Sequence, residues 1–132
     1  TDDLGVKKDA SSFVIPVGAT INMDGTAIMQ GLATMFIAST AGIDLSIIEY
    51  IQIVMLAMVA SIGAAAVPSA GTITLALILS TLGLPLDAIG LILAVDRILD
   101  MIRTSVNVCG DAAVACIVAN SEKLIDRSTF NK

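Results

Sequence analysis

The amino-acid sequence predicts an all-α membrane protein built from a broken transmembrane helix, a re-entrant helical hairpin and a final transmembrane helix. Three observations carry this expectation. Hydrophobic residues make up 56% of the 132-residue chain, charged residues only 14%, and the mean hydropathy is +0.93. Soluble domains run at about 45–50% apolar and about 25% charged. The charges gather toward the two ends and leave residues 25–43, 50–86 and 112–121 without any. Inside the apolar stretches, turn formers and small residues interrupt the chain where a straight spanning helix would continue.

The same composition excludes several functions. A net charge of −5, with 7 Lys+Arg against 12 Asp+Glu, offers no basic face for nucleic acid. With no histidine and two cysteines, a zinc site has almost no ligands. Cys109 and Cys116 stand seven positions apart in one apolar run, too far to be bridged on a helix, and read as small apolar fillers.

Residues 1–9 form a polar lead-in carrying Asp2, Asp3, Lys7, Lys8 and Asp9. No basic segment leads into an apolar one there, so it is not a signal peptide; the expectation is the C-terminal piece of a longer membrane protein. Residues 10–41 read as the broken helix. Ser11 and Ser12 offer caps, and Asn22-Met23-Asp24-Gly25-Thr26 sets turn formers and a carboxylate at half depth. That pattern predicts two half-helices around an unwound centre.

Residues 46–84 read as the hairpin. A straight helix over 50–86 would reach roughly 55 Å, nearly twice the ~30 Å hydrocarbon core. Its middle, residues 63–71, is Gly-Ala-Ala-Ala-Val-Pro-Ser-Ala-Gly, small residues around a helix breaker. Two arms, about 47–62 and 72–83, joined by a tip that dips into the membrane, are the economical reading; one kinked spanning helix plus a loop is the alternative. Residues 87–121 are long enough to span with some tilt, and 122–132 form a polar tail. Two crossings put both chain ends on one side. Lys7, Lys8, Lys123, Arg127 and Lys132 all lie at those ends, which makes that side cytoplasmic by the positive-inside rule.

The last helix carries the chemistry. On a helical wheel Asp96, Asp100, Arg103, Asn107 and Asp111 fall within an arc of about 80°, running some 22 Å along the axis, with Thr104 at its edge. Each ionised group at mid-bilayer costs about 2.5–3.5 kcal/mol on insertion scales, so the stripe must face protein or water and meet compensating charge. Three carboxylates against one guanidinium leave it negative, and Asp24 adds to the deficit. Bound cations supply the balance, and oxygen donors select hard ones such as sodium. Arg103 offers a fork matched to a carboxylate. Asp100 can accept from an ammonium, so the stripe suits a small zwitterion with an extra acid. The plainer reading is that Asp96, Asp100 and Arg103 only glue helices together.

Three motifs, Asn22-Met23-Asp24-Gly25-Thr26, the hairpin tip Ser61 to Gly71, and Arg103-Thr104-Ser105-Val106-Asn107-Val108-Cys109-Gly110-Asp111, resemble the glutamate/aspartate transporter family of dicarboxylate/amino acid:cation symporters. The resemblance covers nearly the whole chain, in order. It implies the seventh transmembrane helix, second re-entrant hairpin and eighth helix of an elevator-type transport domain within a homotrimer. It also implies a multi-pass protein of the cell (inner) membrane, with lipid bilayer around it and no organic cofactor. The family's first hairpin and its trimer-forming scaffold helices are not in this sequence.

For the substrate, the resemblance implies Arg103 on the side-chain carboxylate of glutamate or aspartate, with the Thr26 hydroxyl and backbone near Gly71. Asp100, Thr104 and the Val67 carbonyl would hold the amino group, and Asn107 the main-chain carboxylate. For co-transported sodium it implies three sites. One lies among the Gly18, Asn22 and Asn107 carbonyls and the Asp111 carboxylate. A second lies between Thr20 and hairpin backbone at Ser61, Ile62 and Ala64, and a third uses Asn22 and Asp24. The hairpin would be the extracellular gate. Gln30 stands where mammalian glutamate carriers have a proton-linked glutamate, and Arg97 where they have a tryptophan; both favour a prokaryotic, sodium-coupled member. Proton-coupled carriage of acidic amino acids or dicarboxylates is the alternative. More remote are an intramembrane aspartyl protease, against which Val108 breaks the Gly-x-Gly-Asp pattern, and an ion-channel subunit.

Overall fold

The computed structural model describes residues 2–63 and 70–130. The span 64–69, which holds most of the expected hairpin tip together with Ala64 and Val67, lies outside the described residues. What is described is helical, with one isolated antiparallel bridge.

Helix α1 (Lys8–Ile21) buries Ala10, Val14 and Gly18, a strict four-residue spacing that gives it one narrow inner face. Pro16 sits inside it without an N–H to donate, and the Thr20 hydroxyl donates to the Pro16 carbonyl at 2.9 Å. The helix stops at Asn22 (φ −98°, ψ 70°), and Met23 (φ −107°, ψ 57°) is also non-helical. Helix α2 (Asp24–Thr40) then resumes, burying Thr26, Met29, Gln30, Ala33, Thr34, Ile37 and Ala38. It closes at Gly42, whose φ of +67° lets Ile43 N–H reach back to the Ala38 carbonyl at 2.9 Å.

Helix α3 (Ile47–Gly63) starts on a capping box. Ser46 N–H donates to the Glu49 carboxylate at 2.7 Å while Glu49 N–H donates to the Ser46 hydroxyl at 3.4 Å. Helix α4 (Ala70–Thr81) ends at Gly83 in the same left-handed closure, Leu84 N–H to the Leu79 carbonyl at 2.9 Å.

The segment expected as one helix over 87–121 is divided. A 3-10 turn (Leu86–Ala88) follows Pro85, and a short α5 (Ile89–Leu93) leads to a bend at Ala94 and Val95 before α6 (Asp96–Ser121). Val95 N–H bonds the Ile92 carbonyl at 3.1 Å, one residue short of α spacing, while its own carbonyl starts the next helix. An acidic residue is favoured in a first turn, where the helix dipole is positive, and Asp96 occupies that place. Helix α6 is the one described helix long and apolar enough to cross a membrane; α3 and α4 are shorter and apolar.

The broken helix runs between the other parts: α1 packs on α6 and α3, and α2 on α6, α3 and α4. One core joins Met29, Ala33 and Ile37 of α2 to Leu75 and Leu79 of α4, with Leu84 and Ile92. A second, of Val6, Ala10 and Ala119, lies where the chain ends meet. There Val6 pairs with Ile125, Lys7 N–H donates to the Leu124 carbonyl at 3.0 Å, and Asp126 N–H donates to the Gly5 carbonyl at 2.7 Å. Outward faces remain apolar, with Ile28 and Leu32 on α2, Ile51 and Val54 on α3, and Ile98 and Ile117 on α6 all exposed. Last comes a single short turn, α7 (Arg127–Phe130).

Candidate functional site

The break between α1 and α2 leaves backbone groups without helical partners, as any helix end does. Among the described residues, the carbonyls of Ala19, Thr20, Ile21 and Asn22 accept no hydrogen bond. On the other side of the break, Met23 at the N-cap makes no side-chain bond to the first N–H groups of α2. That service comes from α6: the Asn107 side-chain oxygen accepts from Gly25 N–H at 2.8 Å, and the Asn107 amide donates to the Thr26 hydroxyl at 3.4 Å. Both ends of the Asn107 amide are thus engaged with α2.

One turn further along α6, Asp111 is 7% exposed. One of its carboxylate oxygens accepts from the Asn22 amide at 3.0 Å. The same carboxylate lies against Gly18, where a Cβ would collide with it. Among the described residues Asp111 makes no ion pair, and its second oxygen accepts nothing. Burying a carboxylate with only a neutral amide is costly unless a cation joins it. Gly110 lets the break approach: a Cβ there would lie 3.0 Å from the Asn22 side-chain nitrogen and 3.1 Å from an Asp24 carboxylate oxygen. Asn22, Asp24, Gly18, Asn107 and Asp111 therefore converge on one oxygen-rich locus. Hard cations take such donors, carboxylate with amide and backbone oxygen.

Toward the start of α6, Arg103 pairs with Asp100 through one guanidinium nitrogen. The other donates weakly to the Met29 sulfur at 3.9 Å and lies against Gly71, where a Cβ would strike it. The Arg103 side chain is 12% exposed and the Asp100 side chain 49%. A nearly buried guanidinium at the first turn of α4, with one carboxylate partner open to the outside, is a built place for an anionic group. Beside it runs a cavity of about 280 Å³ between α2 and α6, lined by Met29, Leu32, Phe36, Leu99 and Ile102, with Arg103 at its rim.

Other expected residues are not brought together. Thr104 is exposed and its side chain makes no hydrogen bond among the described residues. The Thr20 hydroxyl is exposed and turned onto Pro16; Ser61 is buried with its hydroxyl on the Met58 carbonyl at 2.8 Å; Ile62 is exposed. No hydrogen bond joins Thr20 to Ser61 or Ile62 among the described residues. Thr26 is 4% exposed and sits beside Asn107.

Two features were not anticipated as a pair. Gln30, fully buried, donates its amide to the Thr74 hydroxyl, tying α2 to α4, and Thr74 in turn donates to the Ala70 carbonyl at 2.9 Å. Among the described residues the Gln30 side-chain oxygen has no partner, nor does one buried oxygen of Asp96. The signal was present in Thr26, Gln30 and Thr34, a polar line at four-residue spacing on the inner face of an otherwise apolar helix.

The model of the sodium:dicarboxylate symporter family matches residues 1–121. An excitatory amino acid transporter of Onchocerca volvulus is 51% identical over 122 residues, 92% of this chain and 25% of that protein. One of Caenorhabditis elegans is also 51% identical, over 92% of this chain and 24% of its own length. Excitatory amino acid transporter 3 of Mus musculus is 52% identical over 118 residues, 89% of this chain and 23% of its own. The chain spans about a quarter of the length of these relatives.

Proposed function

The chain belongs to the sodium:dicarboxylate symporter family, a family of transporters and not of enzymes, and from that premise we propose that it is the C-terminal part of the transport domain of a sodium-coupled carrier of acidic amino acids. The observation that carries the reading is Asp111: among the described residues a buried carboxylate without an ion pair, bonded to the Asn22 amide at a break whose four carbonyls accept no hydrogen bond. Sodium satisfies both at once. It neutralises the carboxylate and gives the carbonyl dipoles a partner, so the cost of keeping them from water is offset only when the ion is bound.

Substrate binds at the other end of the stripe. The Arg103 guanidinium takes the side-chain acid bidentately, with Thr26 and the backbone at Gly71 nearby. Asp100, released in part from Arg103, accepts from the ammonium together with Thr104 and the Val67 carbonyl. Asn107, whose amide already holds the start of α2, receives the main-chain carboxylate. Asn107 also lies between substrate and the Asp111 ion, one helical turn from each, which makes it the link through which one occupant favours the other. Further sodium ions use Thr20 with Ser61, Ile62 and Ala64, and Asn22 with Asp24. The hairpin of α3 and α4 closes over the site from outside, and the domain slides elevator-wise within a homotrimer whose scaffold lies outside this chain. Both ends of the chain face the cytoplasm.

The test is radiolabelled uptake by the full-length protein in liposomes, with the sodium gradient varied. Saturable glutamate or aspartate uptake that stops without sodium is expected. Arg103→Cys abolishes it and admits neutral amino acids; undiminished acidic uptake in that variant would refute the assignment.

A further inference from the structure

At the end of the bundle where the chain ends meet, away from the ion and substrate locus, two cavities adjoin. One, of about 380 Å³, is lined by Lys7, Asn120, Lys123, Ile125, Asp126 and Arg127. The other, of about 370 Å³, is lined by Cys116, Ile117 and Phe130 and shares Asn120, Ile125 and Arg127 with the first. The polar cavity carries three cations and one acid. That acid is committed: the Asp126 carboxylate accepts from Ser128 N–H at 3.0 Å, the Ser128 hydroxyl at 2.7 Å and the Thr129 hydroxyl at 3.2 Å. Among the described residues none of Lys7, Lys123 and Arg127 forms an ion pair; Arg127 makes only a long bond, 3.4 Å, to the Asn120 side-chain oxygen.

Lys123 adds a second observation. Helices α2, α4 and α6 all end in the same left-handed closure, and the first two use glycine, Gly42 and Gly83, at the turning residue. At the third, Leu124 N–H reaches the Ala119 carbonyl at 2.7 Å across Lys123, whose φ is +58°. A side chain is disfavoured in that conformation, and glycine would serve the fold better. What the lysine contributes is a cation at the mouth of the polar cavity.

We propose that these adjoining cavities form a binding site for one anionic phospholipid, its headgroup phosphate among Lys7, Lys123 and Arg127 and the start of an acyl chain along Cys116, Ile117 and Phe130. A free phosphate has no use for the apolar half, whereas an amphiphile fills both. The position fits, because Ile117 and Phe130 are exposed apolar side chains and the polar residues begin one turn beyond them, as at a bilayer interface. Basic residues next to a spanning helix attract anionic headgroups, each adding about fivefold in affinity. The site does not depend on what the transporter carries.

The experiment is native mass spectrometry of the full-length protein, purified in detergent and equilibrated with phosphatidylglycerol or phosphatidylcholine. Wild type is expected to retain phosphatidylglycerol about a hundredfold better. The triple variant Lys7→Gln, Lys123→Gln and Arg127→Gln loses that preference, and inorganic phosphate does not displace the lipid. Equal retention of the two lipids, undiminished preference in the triple variant, or displacement by phosphate overturns the proposal, the last in favour of a free-anion site. Lys123→Gly separates binding from folding. It relieves the left-handed strain, so in lipid-free detergent its melting temperature rises while phosphatidylglycerol retention falls about fivefold. A lysine with a purely structural role gives no such opposition, and unchanged retention in this variant also overturns the proposal.

Discussion

At Gly18 a single methyl would meet the Asp111 carboxylate, at Gly71 the Arg103 guanidinium, and at Gly25 the Arg103 carbonyl at 2.5 Å. The first two collisions are with the ends of side chains that can move, the third with backbone that cannot. Different consequences follow. Gly25→Ala is expected to lower thermal stability by about 1–3 kcal/mol, the cost of forcing packed elements apart. Gly18→Ala and Gly71→Ala are expected to leave the fold standing but to displace the carboxylate and the guanidinium, weakening sodium and substrate dependence respectively in uptake titrations. Gly31 and Gly90 have open space where a Cβ would go, and alanine at Gly31, inside α2, is expected to stabilise by up to about 1 kcal/mol. At Asp111 itself the argument is electrostatic. Asp111→Asn keeps the shape and removes the charge, so the sodium concentration for half-maximal uptake is expected to rise about tenfold or more, and an unchanged titration removes Asp111 from the ion site.

Between elements, the tie from Gln30 to Thr74 holds α2 to α4 across a buried contact. Thr74→Val removes the acceptor and leaves the whole Gln30 amide without a partner, an expected loss of about 1–3 kcal/mol that thermal melting of the purified protein measures. At the chain's end, the Ser128 hydroxyl and N–H hold the Asp126 carboxyl below its ordinary range. A depressed pKa means that this cap contributes at pH above the ordinary carboxylate value and is lost as pH falls through the depressed one. An NMR titration is expected to find the Asp126 midpoint low and Ser128→Ala to raise it. What was legible in the sequence at this scale is local. Asn22, Asp24 and Gly25 are turn formers wherever they stand, and the helix is interrupted at Asn22 and Met23. The stripe from Asp96 to Asp111 follows from helical period alone, and Asn107 and Asp111 do meet the break. The bend at Ala94 and Val95 was not legible, because neither residue is a helix breaker. Nor was the capping of α2 by Asn107, since that bond joins residues 82 positions apart and is fixed by packing, not by neighbours in sequence.

For the molecule as a whole, helical character and a membrane setting are written in composition, while the meeting of the ends is written only in topology. The Val6–Ile125 pair is flanked by the bonds Lys7 to Leu124 and Asp126 to Gly5, which makes it a non-hydrogen-bonded antiparallel pair, the closer-spaced kind. Pairs of that kind have a Cα separation within the range a disulfide spans. Val6→Cys with Ile125→Cys, in a background without Cys109 and Cys116, is expected to crosslink under mild oxidation, seen as a gel shift after cleavage between them. Sodium-dependent uptake is expected to survive it. Helices α1 and α6 are then fastened twice, once at that pair just outside both helices and once at the far end of α1, where Asn22 grips Asp111. Two pins make a rigid beam of two rods, so any bending the protein undergoes must fall beyond the second pin, where the chain leaves Asn22 and enters α2 and the arms it carries.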